Sequence, residues 1–367
     1  MITGISSGSS EYESVVSEGY LRYTRRKSIF LLGCSAMLIL LSIYTIGLGG
    51  TGLSYREIMH YMLFPDGSWP STVVWDLRLK AILAAILAGA ALAIAGAVMQ
   101  SILRNPLASP FTLGLSNAAA FGASFAILFM EGGYIFGSTA AVGMVSDPMM
   151  VTLCAFGFAM FATGVMLLLI KATACTPETI VLAGTALSSI FSAGLALLQY
   201  IAEDTALSAI VYWQFGSLGK VSWDELTIIF AVMLPIVAYF LYKRWDFNAM
   251  EAGEDVARGL GVNVRMTRIV SLVLCAILTA VVVSFLGVIG FIGLVGPHMV
   301  KRIVGNDNRF VLPGSMLMGA LVLLLSYIVG TYGGSSVLYT VLPVGIITSA
   351  IGGPLFIWIL IRGHMRR

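Results

Sequence analysis

Charged residues are scarce in this chain. They make up 11% of its 367 positions, whereas hydrophobic residues make up 58%, and the mean hydropathy is +0.94. A soluble domain carries about 25% charged residues because its surface must be solvated. Half of that fraction cannot cover a water-facing surface, which excludes an ordinary soluble domain. Because apolar runs of roughly 20 residues cross a bilayer as helices, we predict an all-α membrane protein.

The residues that carry catalysis or bind metals are equally sparse. The three histidines, His60, His298 and His364, are far apart in the sequence. The four cysteines have no disulfide or metal-ligand spacing and lie within or beside apolar runs, which favours buried, inert thiols. We therefore predict no enzyme active site, no metal site and no cofactor.

A nucleotide-binding motif is also missing. The segment Gly216–Val221 contains a Gly-Lys pair, but a P-loop needs a glycine at the position of Gln214 and a serine or threonine at that of Val221. No ionisable residue lies in the middle of a well-defined apolar run, which argues against proton coupling. Transport against a gradient would need a partner that supplies energy.

Hydropathy, interrupted by glycine, proline and charge, predicts ten membrane helices after a polar tail at 1–27, all in one domain that spans 28–367. Four glycines at 287–296 leave the seventh and eighth either as two spans or as one span followed by a re-entrant piece. The approximate helix limits are 28–48, 78–103, 111–130, 150–170, 179–201, 224–243, 268–286, 289–304, 313–332 and 340–361.

The distribution of basic residues predicts the orientation. With the tail inside and ten crossings, 17 of the 21 lysines and arginines lie on the cytoplasmic side. The four on the outer side are Arg56, Arg78, Lys80 and Lys220. Because Lys and Arg bias sets topology, we expect both termini in the cytoplasm of a multi-pass protein of the cell membrane.

The longest predicted inner loop, 245–268, has the pattern of a partner-binding element. Residues Glu251–Leu260 can form a short helix with acidic residues early and Arg258 late, as the helix dipole favours. Gly259 and Gly261 would end that helix. Such a helix gives a cytoplasmic protein a rigid surface to bind; the alternative is an ordinary solvated loop.

Eight segments in order resemble one transporter family. They are Arg78–Lys80, Gly89–Gln100, Arg104–Pro110, Leu113–Ala119, Trp213–Leu218, Ala257–Val262, Gly290–His298 and Leu342–Gly345. Over about 78–362 the chain resembles the permeases of the iron-chelate and cobalamin ABC importers, which have the ten-helix type II importer fold. The matched motif positions include Arg104, Asn105, Pro106, Gly114, Pro297, His298, Pro343 and Gly345.

The resemblance implies an assembly in the lipid bilayer. A second copy, a cytoplasmic ATPase dimer and an extracytoplasmic binding protein are expected as partners, and no nucleic acid. The fifth span would line a pathway between the two copies. ATPase coupling would fall to Glu251, Glu254, Asp255, Ala257, Arg258, Gly259, Leu260 and Gly261.

The resemblance also implies a docking point for the binding protein. Arg78 matches a family arginine at the outer mouth, where acidic residues of the binding protein dock. The family reads Arg-Leu-Pro-Arg, whereas this chain has Arg78-Leu79-Lys80-Ala81, so Lys80 would supply the second charge one position early.

The cargo is the least constrained prediction. We expect an iron(III) chelate, either a siderophore or haem, because this is the commonest substrate class of the family. Cobalamin or an oxyanion such as molybdate is the alternative within the family. A secondary transporter is the alternative from another class, and it predicts intramembrane charges or helices broken at the midplane.

Overall fold

The computed structural model describes residues 6–49, 52–130, 134–135, 144–145, 148–172, 176–333 and 341–364. Residues 1–5 of the predicted tail, Cys175 and 365–367 lie outside the described residues.

The described chain is almost entirely helical. Its helices are α1 (Ser6–Gly47), α2 (Tyr55–Leu63), α3 (Trp69–Thr72), α4 (Lys80–Ile102), α5 (Leu115–Phe129), α6 (Pro148–Ala172), α7 (Pro177–Ile201), α8 (Asp204–Gln214), α9 (Trp223–Tyr242), α10 (Arg244–Ala252), α11 (Glu254–Gly259), α12 (Val264–Leu286), α13 (Ile292–Val304), α14 (Asn308–Ile328) and α15 (Val344–His364). π-Helical turns, Val73–Leu79 and Val329–Gly333, precede α4 and follow α14, and a 3-10 turn, Phe111–Leu113, precedes α5. Two short strands, β1 (Tyr134–Ile135) and β2 (Met144–Val145), pair antiparallel.

Each of the ten predicted membrane helices corresponds to a helix, so the predicted all-α class is confirmed. Seven helical stretches, built on α1, α4, α6, α7, α9, α12 and α14, are long and apolar enough to cross a membrane, and α5 and α15 supply shorter apolar helices. The first helix begins at Ser6, well before the predicted residue 28. Extending an existing helix forms one hydrogen bond per added residue without a new nucleus, so the polar tail continues the helix of the apolar run.

The eighth predicted span is too short to cross. α13 has 13 residues, which is about 20 Å of helix against a hydrocarbon core of roughly 30 Å. Gly287 (φ +77°) and Phe291 (φ +66°) adopt backbone conformations that interrupt the apolar run. Of the two sequence alternatives, one full span followed by a shorter piece is the closer to the structure.

Helix α4 is the centre of the bundle. In the most apolar stretch of its span 83% of the residues are buried, against 17% for α1 and 28% for α7. A helix that is hydrophobic on all sides is enclosed by its neighbours, whereas an exposed apolar face needs lipid or another chain. Helices α12, α13 and α14 pack directly around α4.

Glycines bring the backbones of these helices into direct contact. A Cβ added to Gly319 of α14 would lie 2.2 Å from the carbonyl oxygen of Gly89 in α4. At Gly96 an added Cβ would lie 1.7 Å from the carbonyl oxygen of Gly293 in α13. Pro297, four residues after Gly293, has no N–H to donate to that carbonyl. The small residues of α4 therefore serve close helix packing.

We predict that Gly96→Ala destabilises the bundle, because its methyl group meets backbone that cannot rotate away. Overpacking of this kind costs about 1–3 kcal/mol. The unfolding midpoint in detergent should fall relative to wild type. Gly164→Ala in α6 is the matched control, since no atom lies within 4 Å of its added Cβ. Equal midpoints for the two variants would contradict the close contact.

Candidate functional site

The predicted coupling helix is in fact two helices. α10 ends at Ala252 and α11 begins at Glu254, because Gly253 has a φ of +135° that favours glycine and ends the first helix. The expected single helix over 251–260 is therefore wrong in its continuity, and Glu251 belongs to the earlier helix. We call residues 244–261 the coupling element, after the role predicted for them from the sequence.

Glu251 fastens α10 to the central helices. Its Oε1 accepts a 2.8 Å hydrogen bond from Lys301 Nζ of α13 and a 2.6 Å bond from Ser101 Oγ of α4. Both members of the Glu251–Lys301 pair are largely removed from solvent. The carboxylate thus holds three helices at one point.

Asn248 fastens α10 to the start of α14. Its Oδ1 accepts from the backbone N–H of Asn308 at 2.7 Å, and its Nδ2 donates to Asp307 Oδ1 at 3.2 Å. Burial raises the pKa of Asp307, but hydrogen bonds from Arg309 and Asn248 outweigh it and leave that pKa below its usual value. The cap therefore stays ionised near neutral pH and accepts from the backbone N–H of Arg309 in the first turn of α14.

Glu254 and Arg268 fasten α11 to α12 and α4. The guanidinium of Arg268 lies 2.5 Å from Glu254 Oε1, and its Nε donates to the carbonyl of Ile102, the last residue of α4. Only 2% of the Arg268 side chain is exposed. From the sequence, Arg268 is only one of the 17 basic residues predicted on the cytoplasmic side; its position beside a long apolar run is the signal that indicates burial.

The coupling element presents a different set of residues to its surroundings. The Asp255 side chain is 100% exposed, Leu260 is 69% exposed, and Arg258 is exposed beside them. The ion pairs that Arg258 makes with Glu254 and Asp255 are solvated, so they contribute little stability.

The eight predicted coupling residues therefore divide between two faces. Glu251, Glu254 and the fully buried Ala257 hold the element on the bundle, whereas Asp255, Arg258, Gly259, Leu260 and Gly261 are accessible.

The predicted docking arginine, Arg78, lies in the π-helical turn before α4, at the end of that helix away from the coupling element. It is not exposed. Arg78 is 5% exposed, and its Nη1 donates a 2.8 Å hydrogen bond to the carbonyl of Ile46. A positive charge beside the last carbonyls of α1 is favoured by the helix dipole. The predicted docking pair therefore consists of a buried arginine and a half-buried lysine, Lys80, and its docking role stays a prediction.

The motif that follows α4 makes a tight turn. Arg104 has a φ of +47°, and Asn105 Oδ1 accepts from the backbone N–H of Leu107 at 2.9 Å. Pro106 follows, where a helix could not continue. Gly114, with a φ of +79°, starts α5; an added Cβ would lie 2.8 Å from the backbone nitrogen of Ser188 in α7. These motif residues shape the backbone rather than forming a reactive cluster.

Two other motif segments, Trp213–Leu218 and Leu342–Gly345, meet where helices are interrupted. The backbone N–H of Ser217 donates to the carbonyl of Leu286 at 2.8 Å, and that of Gly345 donates to the carbonyl of Phe215 at 3.0 Å. A Cβ on Gly345 would lie 2.2 Å from that same Phe215 oxygen. Pro343 directly precedes α15. Non-helical backbone at membrane depth needs such partners within the protein.

Comparison with known proteins identifies relatives of this chain. A model of the FecCD transport family matches residues 37–362. A Methanocaldococcus jannaschii protein named as an ABC transporter permease is 45% identical over 353 residues, 96% of this chain and 99% of that protein. The hemin transport system permease of Yersinia pestis is 33% identical, over 90% of this chain and 95% of its own. The vitamin B12 import permease of Klebsiella pneumoniae is 32% identical, over 96% and 99%.

A solved structure agrees with the fold. An inward-facing conformation of a metal-chelate type ABC transporter superposes with a TM-score of 0.77 at 29% identity, covering 90% of this chain and 98% of that chain. The predicted type II importer fold is confirmed by this match.

We predict that Glu254→Gln loosens the coupling element, because the buried Arg268 guanidinium loses the carboxylate that joins it to α11. Removing one member of a fully buried ion pair costs about 3–5 kcal/mol, and the cost here should be smaller because the Glu254 side chain is 28% exposed. Hydrogen exchange of α11 should become faster, and the unfolding midpoint should fall. Asp255→Asn is the control, since that carboxylate is fully exposed and should change neither. Slow exchange of α11 in Glu254→Gln would show that the pair does not hold the element.

Proposed function

The chain belongs to the FecCD transport family as a multi-pass permease of the ABC importer type, and we propose that it carries an iron(III) chelate, a siderophore or haem, across the cell membrane. A second copy, a cytoplasmic ATPase dimer and an extracytoplasmic binding protein complete the proposed assembly. The observation that supports this proposal best is the coupling element, which is fastened to the central helices on one face and open to a partner on the other.

The open face of the coupling element is the proposed ATPase contact. Asp255, Arg258 and Leu260 offer both charges and an apolar side chain on a short, rigid helix. A cytoplasmic protein that closes around α11 would push on Glu254, and through Arg268 on α12 and the end of α4. In this proposal ATP binding by the partner is converted into rigid-body movement of packed helices, and the permease itself catalyses no reaction.

The anchors of α10 would carry the same movement to α13 and α14. Glu251 reaches Lys301, and Asn248 reaches the start of α14. Because α13 and α14 touch α4 through glycine backbone, these helices would move as one body and not bend separately.

The proposed pathway runs between two copies along α7. This helix is among the least buried in the bundle and exposes Leu182, Ile190 and Tyr200. A second copy that covers this face would enclose a pathway lined by small and apolar side chains. The 17-to-4 distribution of basic residues supports cytoplasmic termini.

The binding protein is proposed to dock at the end of α4 that carries Lys80. Lys80 is the more exposed of the predicted pair, while Arg78 would support it by holding the end of α1. Electrostatic docking of this kind gives orientation and association rate more than affinity.

The proposed cargo rests on relatives rather than on geometry. Identity to the hemin permease and to the vitamin B12 permease is nearly equal, at 33% and 32%. We retain the iron chelate because it is the commonest substrate class of the family, with cobalamin or an oxyanion as the alternative outcome.

We predict that Leu260→Asp abolishes stimulation of the partner ATPase, because it places a charge in the apolar part of the contact. Folding should be intact, since this side chain is exposed. The measurement is ATP hydrolysis by the reconstituted complex with loaded binding protein. Arg56→Gln, on the exposed α2, is the control and should hydrolyse at the wild-type rate. Full stimulation in Leu260→Asp would exclude this face as the ATPase contact.

For the cargo, we predict that binding proteins loaded with ferric siderophore or haem stimulate ATP hydrolysis and uptake in proteoliposomes. Binding proteins loaded with cobalamin or molybdate should leave both at the basal rate. Stimulation by cobalamin alone would replace the cargo and leave the importer mechanism standing. Uptake driven by an ion gradient without ATP would instead establish the secondary transporter.

A further inference from the structure

A basic cavity lies beside the coupling element, between the ends of α4, α10 and α13. Its volume is about 440 Å³, within the size range of small-ligand sites. The residues that line the cavity include Gln100, Arg104, Glu251, His298, Lys301 and Arg302.

The charges around this cavity do not balance. Among the described residues that line it, Arg104, Lys301 and Arg302 are three cations, whereas Glu251 is the one carboxylate. That carboxylate already accepts from Lys301 and from Ser101. Cations gathered in a cleft create a positive potential that concentrates anions.

The turn after α4 fixes the backbone position of Arg104. Its backbone has a φ of +47°, and the next residue's N–H donates to the carbonyl of Gln100 at 3.2 Å. Within the described part of the chain, Arg104 makes no ion pair of 4.0 Å or less. The guanidinium therefore enters the wall of the cavity from a rigid backbone and remains available to an anion.

Gln100 provides an independent sign of a ligand. It is 2% exposed, and its Nε2 lies 3.5 Å from the carbonyl of Leu294, which orients the amide with its nitrogen toward that oxygen. Its Oε1 has no hydrogen-bond partner among the described residues. Leaving a buried acceptor unpaired costs about 1–3 kcal/mol, so the site is suited to a ligand that donates a hydrogen bond there.

We propose that this cavity binds a phosphate-bearing anion. Arg104, Lys301 and Arg302 would receive the phosphate oxygens in charge-assisted hydrogen bonds, and a hydroxyl of the ligand would donate to Gln100 Oε1. Hydrogen phosphate carries such a hydroxyl at neutral pH, and the glycerol of an anionic phospholipid headgroup carries another. Sulfate has none. Because Lys301 also holds Glu251, the bound anion would draw on the cation that fastens α10, so the site is linked to the coupling element.

The test uses the full-length protein in phosphatidylcholine nanodiscs. Binding of radiolabelled inorganic phosphate is measured by equilibrium dialysis, with sulfate as competitor at constant ionic strength. Saturable phosphate binding is expected, with sulfate weaker by about tenfold, which corresponds to one lost hydrogen bond of about 1.4 kcal/mol.

Three variants separate the contributions. Arg104→Asn keeps a residue that tolerates positive φ and should weaken phosphate and sulfate alike by about tenfold or more, since each loses a charge-assisted bond. Gln100→Met is similar in volume but cannot accept, so it should remove the preference for phosphate over sulfate. Arg265→Gln replaces an exposed arginine of α12 that does not line the cavity, and it should bind phosphate as wild type does.

A second arm identifies the source of the phosphate. If inorganic phosphate does not bind, nanodiscs that contain phosphatidylglycerol should raise the unfolding midpoint in wild type but not in Arg104→Asn or Gln100→Met, which would assign the site to a lipid headgroup. The proposal is overturned if inorganic phosphate does not bind and phosphatidylglycerol does not raise the unfolding midpoint. It is also overturned if wild type and Arg104→Asn bind phosphate equally. None of these readouts involves cargo or ATPase, so their outcome is independent of the transport function.

Discussion

Direct backbone contact between α4 and the helices α13 and α14 is the constraint on which the other features depend. Helices in lipid gain nothing from burying apolar surface against each other, so their association depends on close packing. Gly89 against Gly319 and Gly96 against Gly293 allow that approach, and a single methyl group at either contact would meet a carbonyl. The result is a central body of three helices whose ends provide fixed points for the coupling element.

The polar contacts of the coupling element can hold it in place because the central helices are themselves closely packed. Glu251, Asn248 and Glu254 each reach a different helix end, and each contact is at least partly removed from water. A partly buried pair such as Glu254–Arg268 adds little net stability compared with an apolar substitute, but breaking it is costly. It therefore favours one position of α11 over others, which would suit the proposed transmission of movement.

The motif residues act mostly through backbone geometry. Arg104, Asn105 and Gly114 shape the turn between α4 and α5, while Pro297 and Gly345 belong to places where carbonyls face neighbouring backbone. A permease moves its cargo by changing the packing of its helices, so its recurring residues are those that decide how closely helices can approach. The basic cavity beside Gln100 is the exception, since its lining residues have the chemistry of a ligand site.

The sequence alone determined the membrane class, the ten helices and the family, because apolar runs and motif order are local and the bilayer requires each segment to satisfy its own backbone. It could not decide that α13 is too short to cross the membrane, that the coupling element divides at Gly253, or that Arg78 is buried. Only the tertiary structure decided these, since they depend on contacts between distant residues: Arg268 and Ile102 are 166 positions apart. The sequence does not show which group a charged residue contacts, and that group determines whether the charge faces water, a helix end or a ligand.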